Sequence, residues 1–173
     1  MTQKFNPKQI KAVIGLGNPG RAYKNTYHNL GFLFIDYLKN CRLKAAKFPT
    51  KPGNYQLFKT DTHMNQSGES VKKIIKKKNL RSEEILIVHD DSDLEFGKYK
   101  LSFDRGSAGH KGVESIIKNL KTKKIWRLRI GARKIETKRI KASEFILKAI
   151  SSQDKKTLAD VFEKIGATAL PEN

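Results

Sequence analysis

The chain holds four histidines, His28, His63, His89 and His110, each in a short segment dense in Gly, Asn, Asp or Ser and none in an apolar helix. Histidine is the side chain whose ordinary pKa lies nearest neutrality, so this placement points to proton-transfer chemistry. Four segments carry the polar groups: Asn18-Pro19-Gly20 with His28-Asn29, Thr62 to Gly68, His89 to Leu94, and Gly106 to Gly112. Between them they offer a base (His28), carboxylates (Asp90, Asp91, Asp93) and carboxamides (Asn18, Asn65). That set suffices for hydrolysis by a general base acting on an oriented water. Taken singly, the residues have plainer readings. His28 could cap or pack at a helix end, Asn65 could be a turn residue, and Asp90-Asp91-x-Asp93 could hold magnesium or close Asx turns.

Other chemistries fit less well. Gly15-x-Gly17-x-x-Gly20 matches the dinucleotide-binding fingerprint letter by letter. That fingerprint needs a helix running on from its middle glycine and an acid about 20 residues later at a strand end. Here Pro19 forces Asn18 away from helical geometry, and Asp36, near the right distance, lies in a helical pattern between Leu30 and Leu38. Both contextual requirements of the dinucleotide reading fail. No Cys/His spacing suits zinc, and neither a Gly-x-Ser-x-Gly elbow nor a P-loop lysine motif occurs.

The elements that must position these groups can be read from hydrophobic periodicity and turn residues. Lys11 to Leu16 reads as a buried strand ending at the glycine turn. Residues 25–40 carry apolar side chains at helical spacing, Leu30, Phe34, Ile35 and Leu38. Lys51-Pro52-Gly53-Asn54 is expected as a turn between two short strands, the second at Tyr55 to Lys59. A helix is expected from Ser67, its N-cap, to Asn79, and Ile85 to Val88 is the clearest buried strand. A strand is expected at Lys98 to Phe103, a helix at Val113 to Leu120, and a strand at Trp126 to Ile130 whose apolar and basic side chains alternate. Helices near Ala142 to Ile150 and Gln153 to Ile165 close the chain. Interleaved strands and helices give an α/β class with a mixed, mostly parallel sheet flanked by helices. In that class the polar segments, each just after a strand, converge at one sheet edge.

With 173 residues and 38% hydrophobic content the chain suits one domain, residues 1–173, with a core over 10–166 and short terminal extensions. No apolar run approaches the ~20 residues of a membrane span, and Met1 to Pro7 lacks the apolar core of a signal peptide. Cys41 is the lone cysteine, which fits a reducing cytoplasm. Lys and Arg number 36 against 17 Asp and Glu, a net charge of +19 that implies attraction to a polyanion, most simply nucleic acid. Part of that charge, Lys72, Lys73 and Lys76 to Lys78, reads as a solvated helix face.

Taken together, the polar segments resemble the bacterial-type peptidyl-tRNA hydrolase family. Gly15-Leu16-Gly17-Asn18-Pro19-Gly20 with Tyr23, Thr26, His28, Asn29 and Gly31 is similar to that family's first signature. Met64-Asn65-x-Ser67-Gly68 is similar to the second, and His89-Asp90-Asp91-x-Asp93-Leu94 with Gly97 to the third. Arg127 to Gly131 and Phe145-Ile146-Leu147 also match in order. The resemblance implies cleavage of the ester between a peptide and the 3′-terminal ribose of tRNA, with no metal and no cofactor. It implies His28 as the base, Asp90 as the carboxylate that holds and polarises it, and Asn18 and Asn65 as contacts to the peptide moiety. Tyr23 falls in the region that binds the substrate or its terminal adenosine. Two departures stand out. Lys111 replaces the asparagine of Gly-Gly-His-Asn-Gly, and an ammonium donates hydrogen bonds but cannot accept them. His63 replaces the phenylalanine before Met-Asn, which turns a packing contact into a titratable one.

The expected site is therefore His28, Asp90 and Asn18 for catalysis. Tyr23, His63, Asn65, Lys111, Arg129 and Arg133 are expected to bind substrate and tRNA. Arg129, Arg133, Lys100, Lys111 and Arg105 are expected to form a basic surface beside His28. The partner is peptidyl-tRNA, with no membrane and no obligate protein partner, and the chain is expected to be a cytoplasmic monomer. The alternative is a non-catalytic RNA-binding protein on the same fold, to which the charge and the motif departures point.

Overall fold

A computed structural model describes residues 4–43, 55–137 and 139–168. Five strands form one sheet in the order β2-β1-β3-β5-β4. They are β1 (Ala12–Gly15), β2 (Gln56–Lys59), β3 (Ile85–Glu95), β4 (Tyr99–Phe103) and β5 (Trp126–Arg133). All neighbours are parallel except β4, which runs antiparallel to β5 at one edge. The helices are α1 (Leu30–Leu43), α2 (Ser67–Lys78), α3 (Lys111–Leu120), the short α4 (Ala142–Phe145) and α5 (Ser152–Thr168).

Strand alternation divides the core in two. Val13, Leu86, Val88, Leu128 and Ile130 face one side and pack with Leu30, Phe34, Leu158 and Phe162 of α1 and α5. Ile14, Ile85 and Ile87 face the other and pack with Val71, Val113 and Ile116 of α2 and α3. Parallel strands covered on both faces read as continuous apolar runs, which is why β1 and the first half of β3, Ile85 to Val88, are legible in the sequence.

Glycine lets α1 approach the sheet. A Cβ on Gly31 would overlap the Val88 carbonyl and the Leu16 backbone, and one on Gly15 would overlap the Gly31 carbonyl. This contact sets the turn Tyr27–Asn29, just before α1, against the end of β3.

Several expectations are corrected. β3 continues to Glu95, so His89 to Leu94 is strand and not loop: its pairing with β5 runs on through Asp91↔Gly131, then shifts register before Glu95. Gln66 caps α2, and Ser67 is its first residue, whose hydroxyl donates to the Met64 carbonyl at 2.8 Å. α3 begins at Lys111 because His110 is its cap. The helix expected at Ala142 to Ile150 shrinks to α4, and the chain between α4 and α5 forms a strap. Ala149 bridges Thr26, the Ile150 N–H donates to the Asn25 carbonyl, and Ile146 accepts from the His28 N–H. Asp36 lies on α1 paired with Lys59 at 2.6 Å, which removes the acid that a dinucleotide site needs. The turn at 51–54 and the strand expected before it lie outside the described residues.

Candidate active site

His28 sits in the turn at the head of α1, with only 9% of its surface exposed. Its backbone N–H donates to the Ile146 carbonyl at 2.8 Å, so the strap fixes the main chain. Its ring reaches the middle of β3, where Nδ1 lies 2.9 and 3.1 Å from the two carboxylate oxygens of Asp90. Nε2 makes no hydrogen bond among the described residues. A carboxylate only accepts, so Nδ1 carries the proton and Nε2 keeps its lone pair.

Asp90 is buried. Burial alone would raise its carboxyl, but contacts with His110 and His28 outweigh that and hold it well below the usual carboxylate range. His110 is the group that sequence reasoning left without a role. Its Nε2 lies 3.0 Å from Asp90 Oδ1, and its Nδ1 accepts the Val113 N–H at 3.3 Å. Its signals in the sequence were its residue type and its place in the glycine-rich segment 106–112, and neither pointed to Asp90.

Asn18 is braced from two sides. Its backbone N–H and carbonyl are both held by the Asn29 carboxamide, at 2.8 and 3.0 Å. Its side-chain oxygen accepts the Met64 N–H at 2.8 Å. The backbone donor fixes which way the amide points, leaving the Asn18 NH2 group to be presented to a ligand. Asn65 is exposed in the turn after His63, and the Tyr23 and His63 rings meet edge-on at 6.4 Å. Lys111 is exposed and lies 3.5 Å from Glu114.

The aspartates of β3 diverge. Asp91 accepts from Arg129 Nε at 2.5 Å and from the Asp93 backbone N–H at 2.8 Å, an Asx turn, while Asp93 is exposed. They do not converge as a hard-cation cage. His28, Asp90 and His110 do place ligand atoms within 4.8 Å of one another. A metal would need the Nε2 lone pair of His110, yet the Val113 amide occupies Nδ1 and leaves the proton on Nε2. The donor set suits two N–H groups on one carboxylate and does not suit an ion.

His89 is fully structural. Its Nδ1 donates to the Asp90 carbonyl at 2.6 Å. Burial, then His110 and Arg127, push its pKa well below the ordinary value, so it is neutral.

The expected basic surface divides in two. Lys100, Arg105, Arg127 and Arg129 line a groove of about 1290 Å³ along β4 and β5, together with Arg81, Lys124 and the acidic Glu83 and Glu84; His28, Asp90, Asn18 and Asn65 are not among its lining residues, so this part of the basic surface is not beside His28 as expected. Arg127 lies at its floor, 2% exposed, with Nη2 on the Gly106 carbonyl at 2.9 Å. Burial and the nearby Arg129 charge lower its pKa to about 10. Arg133 and Lys111 do not line this groove. Arg133 donates to the Ser92, Thr137 and Ile140 carbonyls at 2.6, 2.5 and 2.8 Å and lies 4.8 Å over the Phe145 ring, tying β5 to the segment before α4 and to α4 itself.

The chain is similar to known proteins of one family. The family model described as peptidyl-tRNA hydrolase matches residues 12–171. A peptidyl-tRNA hydrolase of Hydrogenobaculum sp. is 37% identical over 169 residues, covering 93% of this chain and 89% of that protein. One from Sulfurihydrogenibium sp. is 40% identical over 155 residues, covering 84% and 82%. The crystal structure of peptidyl-tRNA hydrolase from Acinetobacter baumannii superposes with a TM-score of 0.73 at 28% identity, over 93% of this chain and 90% of that one.

Proposed function

This chain belongs to the peptidyl-tRNA hydrolase family, and we propose that it cleaves the ester between a peptide and the 3′ ribose of tRNA with His28 as the general base. The observation that carries the assignment is the buried pair of His28 Nδ1 and Asp90 at 2.9 Å, which leaves Nε2 as the proton acceptor.

In this mechanism His28 Nε2 takes a proton from a water whose oxygen attacks the ester carbonyl carbon. Asp90 accepts the Nδ1 proton's hydrogen bond and stabilises the imidazolium as it forms. When the tetrahedral intermediate collapses, the carbon–ribose-oxygen bond breaks and His28 returns the proton to the leaving 3′ oxygen. An ester whose leaving oxygen can take that proton needs no metal and no cofactor. The NH2 group of Asn18, oriented by Met64, donates to the peptide moiety as charge develops on the carbonyl. Asn65 contacts the peptide, and the Tyr23–His63 rim takes the terminal nucleoside. The basic groove, with Arg129 on its lining, takes phosphates; Lys111, exposed at the start of α3 outside the groove, contacts the substrate, and Arg133 is the tie that holds the end of β5 in place.

We further propose that residues 1–173 act as one domain and as a cytoplasmic monomer. No helix among the described residues is long and apolar enough to cross a membrane. The rival reading, an RNA-binding protein without turnover, sits poorly with an intact His28–Asp90 pair. Turnover of an N-acetylated aminoacyl-tRNA by the purified protein tests the choice. Release of free tRNA by the wild type and its loss in His28→Ala are expected. Tight tRNA binding without turnover in the wild type would select the rival.

A further inference from the structure

We infer that His110 is a positioning residue: the cap of α3 fixes its ring as a second N–H donor on Asp90, so the carboxylate is shared between two imidazoles and turnover survives to lower pH than a lone His28–Asp90 pair would allow. This rests on His28 being the base and Asp90 its partner.

The tautomer is the first link. A backbone amide only donates, so the Val113 N–H at 3.3 Å identifies Nδ1 of His110 as an acceptor. The neutral ring then carries its proton on Nε2, which lies 3.0 Å from Asp90 Oδ1. Ring position is the second link. The His110 imidazole lies between two others, edge-on to His89 at 4.6 Å and tilted to His28 at 5.2 Å. Gly112 leaves room for the ring, since a Cβ there would come 3.1 Å from its Cε1. The Val113 and Asp90 contacts on its two nitrogens hold the ring as a donor.

Shared charge is the third link. Asp90 Oδ1 receives both His28 Nδ1 and His110 Nε2. Each donor draws on the same negative charge, and what His110 takes is not available to stabilise the His28 imidazolium. Other charged groups do not replace it. On β3, Asp91 is neutralised by Arg129 and Asp93 is exposed. His89 is neutral and lies nearest Arg127 and His110. On α3, Lys111 and Glu114 are exposed and paired with each other. From the turn Met64–Gln66, packed against α3, no titratable side chain enters.

The experiment compares kcat/KM against pH for the wild type, His110→Asn and His110→Gln. Asn caps helices well but is too short to reach Asp90, so the fold is kept while the second donor is lost. Its acid limb is expected to move to higher pH by roughly one unit, with activity returning near the plateau. Gln, whose amide reaches the Nε2 position, is expected to hold the limb closer to the wild type. A uniform drop at every pH with an unmoved limb, or a rise in KM alone, would mean that His110 contacts substrate or supports the loop, and would overturn the inference. A second readout does not depend on turnover. The His28 ring titration, followed by NMR, should shift upward in His110→Asn, and an unmoved titration overturns the inference even if that variant is inactive. His28→Ala tests the base separately: if it keeps wild-type turnover, the reading beneath this inference has failed, whereas the NMR titration still reports whether Asp90 is shared.

Discussion

At the scale of single residues, the predicted consequences depend on which proton each group can hold. His28→Ala removes the proposed base and should lower kcat by ~10²- to 10⁴-fold, since general-base catalysis typically contributes that much. The variant should melt close to the wild type, because the ring's one bond is to Asp90. Single-turnover hydrolysis of N-acetylaminoacyl-tRNA measures it, and wild-type turnover in a folded variant would remove His28 from the mechanism. Asp90→Asn is a sharper probe. A carboxamide can donate to His28 Nδ1, which would place the ring proton on Nε2, the wrong nitrogen. Turnover should fall by a similar ~10²- to 10⁴-fold without a large change in KM, and a loss confined to KM would reassign Asp90 to binding. Residue types beside a glycine turn offered His28 as one possible base in the sequence, while its role and the choice of Asp90 over Asp91 and Asp93 came from the family resemblance. His110 was not legible, although it was in view. Its contribution depends on a ring tautomer fixed by an amide three residues later, and no spacing rule encodes that.

At the scale of elements, the site depends on a strap that the sequence presented as a helix. The stretch between α4 and α5 holds the His28 backbone through Ile146, and it is pinned by Asp154 in the first turn of α5. That carboxylate, 5% exposed, accepts from Tyr27 at 2.5 Å, Ser151 at 2.7 Å and Lys134 at 3.0 Å. Burial works against its ionisation, but these three donors prevail and keep its carboxyl below the ordinary value. Tyr27 is displaced the other way, up to about 12, by burial and by Asp154. A depressed carboxyl stabilises the fold above its ordinary pKa and loses that contribution as pH falls through the lowered value. A raised phenol contributes below its ordinary 10.0 and loses it as pH rises towards 12. Asp154→Asn should therefore destabilise by about 2–3 kcal/mol at neutral pH, and the gap from wild type should close as the pH drops below the carboxylate range. Thermal melts at pH 7 and pH 3 check this, and an equal gap at both would deny the ionised hub. The strap was illegible because Ile146 to Ile150 keeps apolar residues at helix-like spacing while their backbone groups bond to 25–28. The far half of β3 was illegible for a related reason: Asp and Ser are poor strand formers, and pairing with β5 overrides them.

At the scale of the whole molecule, a charge of +19 indicated a polyanion but not where it would lie. We propose the open β4–β5 face as that place. β4 is the edge strand and α3 packs over the sheet's interior strands, so the β4–β5 face stays open and its alternating Lys100, Arg127 and Arg129 line a groove. Lys76, Lys77 and Lys78 are equally basic but sit exposed at the end of α2 and away from that lining. Phosphate contacts release counterions, so each one lost should lower the slope of log affinity against log salt by about one unit. Lys100→Gln and Arg129→Gln should do this and raise KM for peptidyl-tRNA, while sparing a short ester that lacks the acceptor stem. Lys77→Gln should leave the slope nearly unchanged. Arg133→Gln should behave differently from both. Its guanidinium is engaged by three carbonyls and Phe145, so its loss should loosen α4, from which the strap leaves, and depress turnover of both substrates together. If Arg133→Gln instead weakened only the tRNA substrate, and Lys100→Gln harmed both alike, the acceptor stem would run over the strap side of β5 and not along the groove.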